Sequence, residues 1–203
     1  MFVGIKVIRF INLKLNIKMH KVEFSDCLIH TKVRGHLEIR DKILEQIAEV
    51  EEESLCVEDG YYSDSIAKYD WYNAKDFNRP WVRTFDRYYK ETIGEAIDSL
   101  AYTAADMKSI WFQQYLENGG HGWHIHGQHY TGVYYLEYSD GCGKTEICSP
   151  YNLKKMQIDV KEGDMIIFPA HWIHRGMANG KNRKTIISFN FDIIADRLNL
   201  MKL

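Results

Sequence analysis

The chain has 203 residues and a formal charge of −2, from 26 basic and 28 acidic side chains spread along its length. Such a balanced charge gives no field that would gather nucleic acid or anionic lipid, so neither partner is predicted. An apolar fraction of 45% with only 3 prolines excludes a disordered or fibrous protein. We expect one globular domain over residues 1–203.

The amino-terminal region is basic but has no long apolar run. Four cations interrupt the apolar residues of the segment 1–18, namely Lys6, Arg9, Lys14 and Lys18. This pattern excludes a signal-peptide core or membrane span there and predicts a cytoplasmic protein. Strand-like alternation begins only at Met19, so we interpret residues 1–18 as an N-terminal extension without a structural role.

The four cysteines, Cys27, Cys56, Cys142 and Cys148, are scattered and form no CxxC pair. Structural zinc needs closely paired thiolates, so the spacing argues against a zinc ribbon. We expect four reduced thiols in an intracellular protein.

Two helices are predicted in the first half of the chain. Residues 41–54 place apolar side chains at near-helical spacing, and residues 79–100 do the same after a start signal at Pro80. Residues 56–78 show no period and are rich in Asp, Tyr, Ser and Asn. We interpret them as a long loop that lines the entrance to a functional site.

Short β-rich runs separated by turn residues fill the second half of the chain. There are seven of them: IWFQQYL, GWHIH, TGVYYLEY, KTEICS, MQIDV, DMIIFP and KTIISFNFDI. Strands at this spacing predict a sandwich or barrel and argue against a parallel α/β sheet. The expected fold is mainly β, a jelly-roll barrel over residues 107–195 supported by helices within 41–100.

Histidines are concentrated in the barrel region, where six of the nine lie between His121 and His174. The glycines of GHGWHIHGQHY disfavour a helix, so a period of two places His124 and His126 on the same face of one strand. A third ligand must come from another strand, and His174 of PAHWIHRG supplies it. Three imidazoles suit a transition metal and leave coordination positions open.

The other histidines of this region are predicted to be surface or supporting groups. His121 and His129 have the opposite parity to the pair on the strand, unless a bulge intervenes. His171 falls in a turn. The alternative that hydrogen bonds alone account for all of these histidines remains open.

These motifs resemble those of the 2-oxoglutarate and iron(II)-dependent oxygenases, in particular small members of the prolyl-4-hydroxylase-like superfamily. The resemblance covers residues 110–192 and rests on WHIH, TGVYYLEY, EGDMIIFPAHWIH and the basic residue that opens KTIISFNF. It implies that iron(II) is bound by His124, His126 and His174. It also implies that Lys184 binds the far carboxylate of the cosubstrate 2-oxoglutarate and, less specifically, that Tyr115 donates a hydrogen bond to it.

The resemblance also implies a reaction, the oxidative decarboxylation of 2-oxoglutarate to succinate and carbon dioxide coupled to hydroxylation of a C–H bond. The substrate would be a small molecule or a peptide. For Lys184 we expect a hairpin loop around Asn179 and Asn182 that returns the chain beside His174, where a buried dicarboxylate needs a fixed cation. A solvated strand end is the alternative for Lys184 and Arg183.

Two positions depart from the family pattern. His126 stands where the best-known members have Asp, so the site has three histidines and one negative charge fewer. Ile186 stands where many members have a polar residue that also contacts the cosubstrate.

Two other interpretations remain open. GDMIIFPAHWIHRGMAN also resembles the second motif of cupins, which implies a three-His dioxygenase or isomerase that does not use 2-oxoglutarate. The third interpretation is a binding module that keeps the barrel and its histidines without turnover.

Overall fold

The structure is a computed structural model that describes residues 26–51, 55–58 and 63–194. Its helices are α1 (His36–Ala48) and α2 (Pro80–Ser99), and Trp71–Asn73 form one turn of 3₁₀ helix. Its strands are β1 (Ile29–Lys32), β2 (Leu55–Glu58), β3 (Ser63–Ile66), β4 (Lys68–Tyr69), β5 (Ala104–Tyr115), β6 (His121–His124), β7 (Tyr130–Glu137), β8 (Thr145–Cys148), β9 (Lys155–Gln157), β10 (Asp164–Pro169), β11 (Ile173–Gly176) and β12 (Lys184–Ile194). The predicted extension over residues 1–18 lies outside the described residues, and the single domain over 1–203 stays a prediction.

Two antiparallel sheets form the barrel. The larger has the order β1-β10-β7-β12-β5-β4, and the smaller has the order β6-β11-β8-β9. Apolar side chains from both sheets form one buried cluster, in which Ile147 of the smaller sheet joins Tyr135 and Phe168 of the larger. The mainly β, jelly-roll class is therefore confirmed. All seven predicted strands are present, and β11 is an additional strand in the second half of the chain.

The second helix follows the prediction closely, whereas the first does not. Helix α2 starts at Pro80, whose missing N–H is harmless in the first turn. Helix α1 covers His36–Ala48 where 41–54 was predicted. The chain enters α1 through Gly35, which has a φ of 72°, and buries Ile39, Ile43 and Ile47 at intervals of four residues. The prediction therefore began too late, because Ile39 already continues the spacing of Ile43 and Ile47.

The predicted long loop 56–78 is wrong, because this segment contains part of β2, then β3 and β4, and the 3₁₀ turn. Strands β2 and β3 pair with each other, and Lys68 and Tyr69 pair with Gln114 and Gln113 of β5. Strands of two to four residues are too short to show alternation, so tertiary pairing determines them. Strand β1, which pairs with β10, was missed for the same reason. The N-terminal third therefore adds strands to the larger sheet as well as helices.

Alternation along the central strands of the larger sheet separates its two faces. On β12, Ile187 and Phe189 belong to the apolar cluster that includes both helices. Lys184 and Ile186 of the same strand point instead into a cavity between the two sheets. This separation positions the candidate site inside the barrel.

Two further features bear on the predictions made from composition. Cys27, Cys142 and Cys148 carry free thiols. Within the described part of the chain, no helix is long and apolar enough to cross a membrane.

Candidate metal centre

His124, His126 and His174 come together at one end of the smaller sheet. His124 ends β6, His126 follows it by two residues, and His174 on β11 is the direct register partner of His124. One ring nitrogen from each lies within 4.8 Å of the others. In the described residues no other group of three histidine, cysteine or acidic side chains has this geometry.

Local hydrogen bonds fix the tautomers of two of these rings. His124 Nδ1 lies 2.7 Å from the Gly122 carbonyl oxygen, and His174 Nδ1 lies 2.9 Å from that of Trp172. A carbonyl oxygen only accepts, so each Nδ1 carries the proton and each Nε2 is left with a free lone pair. In both cases the carbonyl belongs to the residue two positions earlier. Such a bond holds the ring in the orientation that a metal ligand needs.

Burial keeps all three rings neutral. Desolvation, together with smaller effects of the neighbouring His124 and His121, lowers the pKa of His126 to about 3. Desolvation is also the largest cause that lowers the pKa of His124 and, well below its ordinary value, that of His174. Because neutral imidazole is the form that binds metals, the donor set fits a transition metal such as iron(II).

A fourth histidine lies beside the trio because β6 contains a bulge. His121 pairs with Gly176 and His124 with His174, so two residues of β6 oppose one of β11. The prediction that His121 lies on the opposite face from His124 made an exception for a bulge, and the bulge is present. The His121 ring therefore stacks on that of His124, with centroids 3.9 Å apart. The Asp64 carboxylate lies 3.7 Å from its Nε2.

Lys184 lies inside the same cavity. Its side chain is buried, Nζ donates to the Gly143 carbonyl oxygen at 2.8 Å, and the ammonium lies 4.4 Å from the centroid of the Tyr115 ring. No ion pair to a carboxylate within 4.0 Å is present for Lys184 among the described residues. Desolvation lowers the pKa of Lys184 to about 8. A buried cation with no carboxylate partner is costly unless a ligand supplies the negative charge.

The connection that leads to Lys184 is not the predicted hairpin. His174 lies on β11 of the smaller sheet, whereas Lys184 opens β12 of the larger sheet. The intervening loop crosses between the sheets, and the Asn179 side-chain amide donates to the carbonyl oxygens of Tyr115 and Asn182. Asn179 and Asn182 lie in the connecting loop, as predicted. This loop joins the two sheets, however, and the Asn179 side chain holds it in place.

Two hydroxyl groups extend the polar part of the cavity, and the sequence interpretation missed both. Tyr135 Oη and Thr145 Oγ1 are 2.6 Å apart, and both residues line the cavity with Lys184. Burial raises the pKa of Tyr135, so its hydroxyl stays protonated. Alternation within TGVYYLEY could have identified Tyr135, because it shares its face with Val133.

Three other residues named in the sequence analysis, Arg183, His129 and His171, lie away from the cavity. Arg183 is exposed and forms two hydrogen bonds with the Glu137 carboxylate, at 2.9 and 3.0 Å. The side chains of His129 and His171 are 57% and 52% exposed, as expected for surface groups. Ile186 lines the cavity and offers no polar contact.

Comparisons with known proteins agree with this architecture. The family model described as Cupin matches residues 111–193. No curated protein matches the chain in sequence. Among solved structures, an oxidoreductase of the 2OG-Fe(II) oxygenase family from Burkholderia pseudomallei is similar, with a TM-score of 0.61 and 12% identity over 81% of this chain and 84% of that one.

Two further structures have the same fold. A prolyl hydroxylase from Trichoplax adhaerens, in complex with a peptide of hypoxia inducible factor, has a TM-score of 0.55 and 17% identity over 82% of this chain and 83% of that one. The α-ketoglutarate-dependent epimerase SnoN of nogalamycin biosynthesis has a TM-score of 0.62 and 14% identity over 82% and 78%. The chain has the cupin-type fold of the 2OG-Fe(II) oxygenases. In this fold the histidine trio and Lys184 lie inside the barrel, between its two sheets.

Proposed function

We propose that the protein is an iron(II)- and 2-oxoglutarate-dependent oxygenase that hydroxylates a C–H bond and releases succinate and carbon dioxide. The observation that carries the proposal is one cavity with a neutral histidine trio and a buried lysine that lacks a carboxylate partner among the described residues. The trio would bind the metal through His124, His126 and His174. Lys184 would bind the carboxylate at the other end of the cosubstrate.

Each of these side chains has a task that its surroundings support. Lys184 offers a charge-assisted hydrogen bond to a carboxylate. The Tyr135 and Thr145 hydroxyls line the same cavity and bond to each other, which leaves one of their two O–H groups free to donate. That donor would replace the polar group that is missing at Ile186. Tyr115 lies beneath the ammonium, and its predicted hydrogen bond to the cosubstrate stays a prediction. When bound, iron(II) supplies the oxygen activation, and the barrel orients the reactants and excludes water.

The proposed substrate is either a small molecule or a peptide. Both classes occur among proteins with this fold, because the Trichoplax adhaerens hydroxylase is in complex with a peptide whereas SnoN is an epimerase of nogalamycin biosynthesis.

The second candidate is a three-His cupin enzyme that does not use 2-oxoglutarate. The cupin family match over residues 111–193 and the replacement of Asp by His126 favour it. Lys184 argues against it, because such an enzyme has no use for a buried cation without a carboxylate partner in the same cavity as the trio.

Titration of the anaerobic iron(II) protein with 2-oxoglutarate distinguishes these functions. The oxygenase predicts a visible metal-to-ligand charge-transfer band that saturates at one cosubstrate per iron. Stoichiometric iron without the band would support the cupin enzyme. Failure to bind iron at all would contradict both and leave a binding module.

A further inference from the structure

The third histidine of the trio differs from the other two in how its ring is supported. His124 and His174 donate from Nδ1 to backbone carbonyls two residues earlier in the chain. The Nδ1 of His126 faces no backbone carbonyl in the described structure. It faces the side-chain amide of Asn190, with Nδ2 placed 3.4 Å away.

Asn190 is a buried polar residue on the central strand of the larger sheet. It is 5% exposed, and its Nδ2 also lies 3.2 Å from Ser109 Oγ. Its Oδ1 is buried and has no hydrogen-bond partner among the described residues. A half-turn of the amide exchanges the two atoms and leaves one of them unpaired in either orientation. The count of hydrogen bonds therefore does not determine which atom faces His126.

The tautomer of His126 determines which amide atom of Asn190 faces its ring. If Nε2 binds a metal, Nδ1 must carry the proton, because a neutral imidazole has one donor and one acceptor nitrogen. A protonated Nδ1 can only donate, so the amide must present Oδ1 to it. With Oδ1 in that position, the amide accepts from both His126 Nδ1 and Ser109 Oγ.

We propose that Asn190 is a positioning residue that holds His126 in its metal-binding tautomer by accepting a hydrogen bond from Nδ1. The proposal rests on the proposed metal site. It also gives a reason for a polar side chain in the middle of β12. A carboxylate at position 126 has no tautomer to select, whereas a histidine there needs a partner, and no backbone carbonyl supplies one.

Two substitutions at position 190 test the proposal. Asn190→Leu removes the acceptor at similar size, and Asn190→Asp keeps an acceptor at the same place. Removing an outer hydrogen-bond partner of a metal ligand typically weakens metal binding about 10- to 100-fold. We expect that loss for cobalt(II) and iron(II) in Asn190→Leu, measured by competition with a chromophoric chelator. Asn190→Asp should bind at least as tightly as the parent.

A control and a second readout separate positioning from general damage to the core. Ser188 lies two residues earlier on the same face of β12, is buried, and donates to Gln113 rather than to a histidine. Ser188→Ala should therefore keep parental metal affinity. In the cobalt(II) protein in water, each ligand imidazole should give one exchangeable, hyperfine-shifted Nδ1 proton signal. We expect three signals in the parent and in Asn190→Asp, and two in Asn190→Leu.

The outcomes distinguish this inference from the proposed function. Parental affinity and three signals in Asn190→Leu would overturn the role of Asn190 and leave the metal site intact. Equal losses in Asn190→Leu and Asn190→Asp would also overturn it, since only one of them lacks an acceptor. A parent protein that binds neither metal would overturn the proposed function itself.

Discussion

The two faces of the larger sheet differ in their buried polar side chains, although the same strands supply both faces. The face toward the helices is apolar and fully buried, with Phe85 of α2 stacked on Tyr134 at a centroid distance of 4.8 Å. The face toward the smaller sheet is equally buried but carries Lys184, Gln113 and Asn190. Burial of apolar rings stabilises the fold, whereas burial of a cation and amides costs free energy unless partners are found. We infer that the face toward the helices mainly stabilises the fold and that the face toward the smaller sheet carries the proposed site.

The largest expected effect concerns the metal ligands. His174→Ala removes one of the three imidazoles and should weaken iron(II) binding more than about a hundredfold. This loss exceeds the one that typically follows removal of a ligand's hydrogen-bond partner. His171→Ala is the matched control three residues earlier, because that side chain is 52% exposed and lies outside the trio. Iron content after desalting measures both. If His171→Ala lost iron while His174→Ala kept it, the assignment of the third ligand would be wrong.

The helix-covered face should respond in stability rather than in metal binding. Phe85→Ala leaves a cavity beneath Tyr134, and truncating a buried Phe to Ala typically costs about 3–5 kcal/mol of unfolding free energy. Denaturant unfolding of the metal-free protein measures this loss. The iron(II) affinity of the folded variant should equal that of the parent. A parallel loss of metal affinity at unchanged stability would mean that the two faces do not have separate roles.

Cosubstrate binding should depend on Lys184 and not on the adjacent Arg183. Lys184→Ala would leave a buried carboxylate without its partner, at about 2–5 kcal/mol, so 2-oxoglutarate affinity should fall at least about tenfold. Iron(II) affinity should barely change, because Lys184 is not one of the three histidines proposed to bind the metal. Arg183→Ala is the control, since its guanidinium pairs with Glu137 at the surface. A loss in Arg183→Ala instead would assign the cosubstrate cation to that residue.

The pH dependence of cosubstrate binding follows from the lowered pKa of Lys184, which is about 8. Below this pH the ammonium is charged and can pair with the carboxylate, and above it the free protein loses the charge. The affinity for 2-oxoglutarate should therefore be constant near pH 7 and weaken as the pH rises beyond about 8. Lys184→Arg should remove this dependence, because guanidinium stays charged. A slope that persists in Lys184→Arg would assign the titration to another group.

How much of the fold could be predicted from the sequence depends on how far apart in the chain the interacting residues lie. Strands such as β10 and β12 carry a local apolar run and the helix α2 carries a helical period, so they could be predicted. Strands β1 to β4 are two to four residues long and are determined by pairing with distant strands. No local pattern contains that information.

The same distinction applies to the candidate site. His124, His126 and His174 could be grouped from spacing and chain order, although their ligand role stays a prediction. The bulge that turns His121 inward could not be predicted, because it arises from pairing with β11. Asn190 was missed because its contact with His126 joins residues 64 positions apart.

Diffraction at the iron absorption edge, from crystals grown without oxygen in the presence of iron(II) and 2-oxoglutarate, tests the central claim most directly. We expect one anomalous peak within coordination distance of His124, His126 and His174. We also expect the far carboxylate of 2-oxoglutarate to accept a hydrogen bond from Lys184 Nζ. Iron bound elsewhere, or a cosubstrate whose far carboxylate avoids Lys184, would contradict the assignment of this face of the sheet to metal and cosubstrate binding.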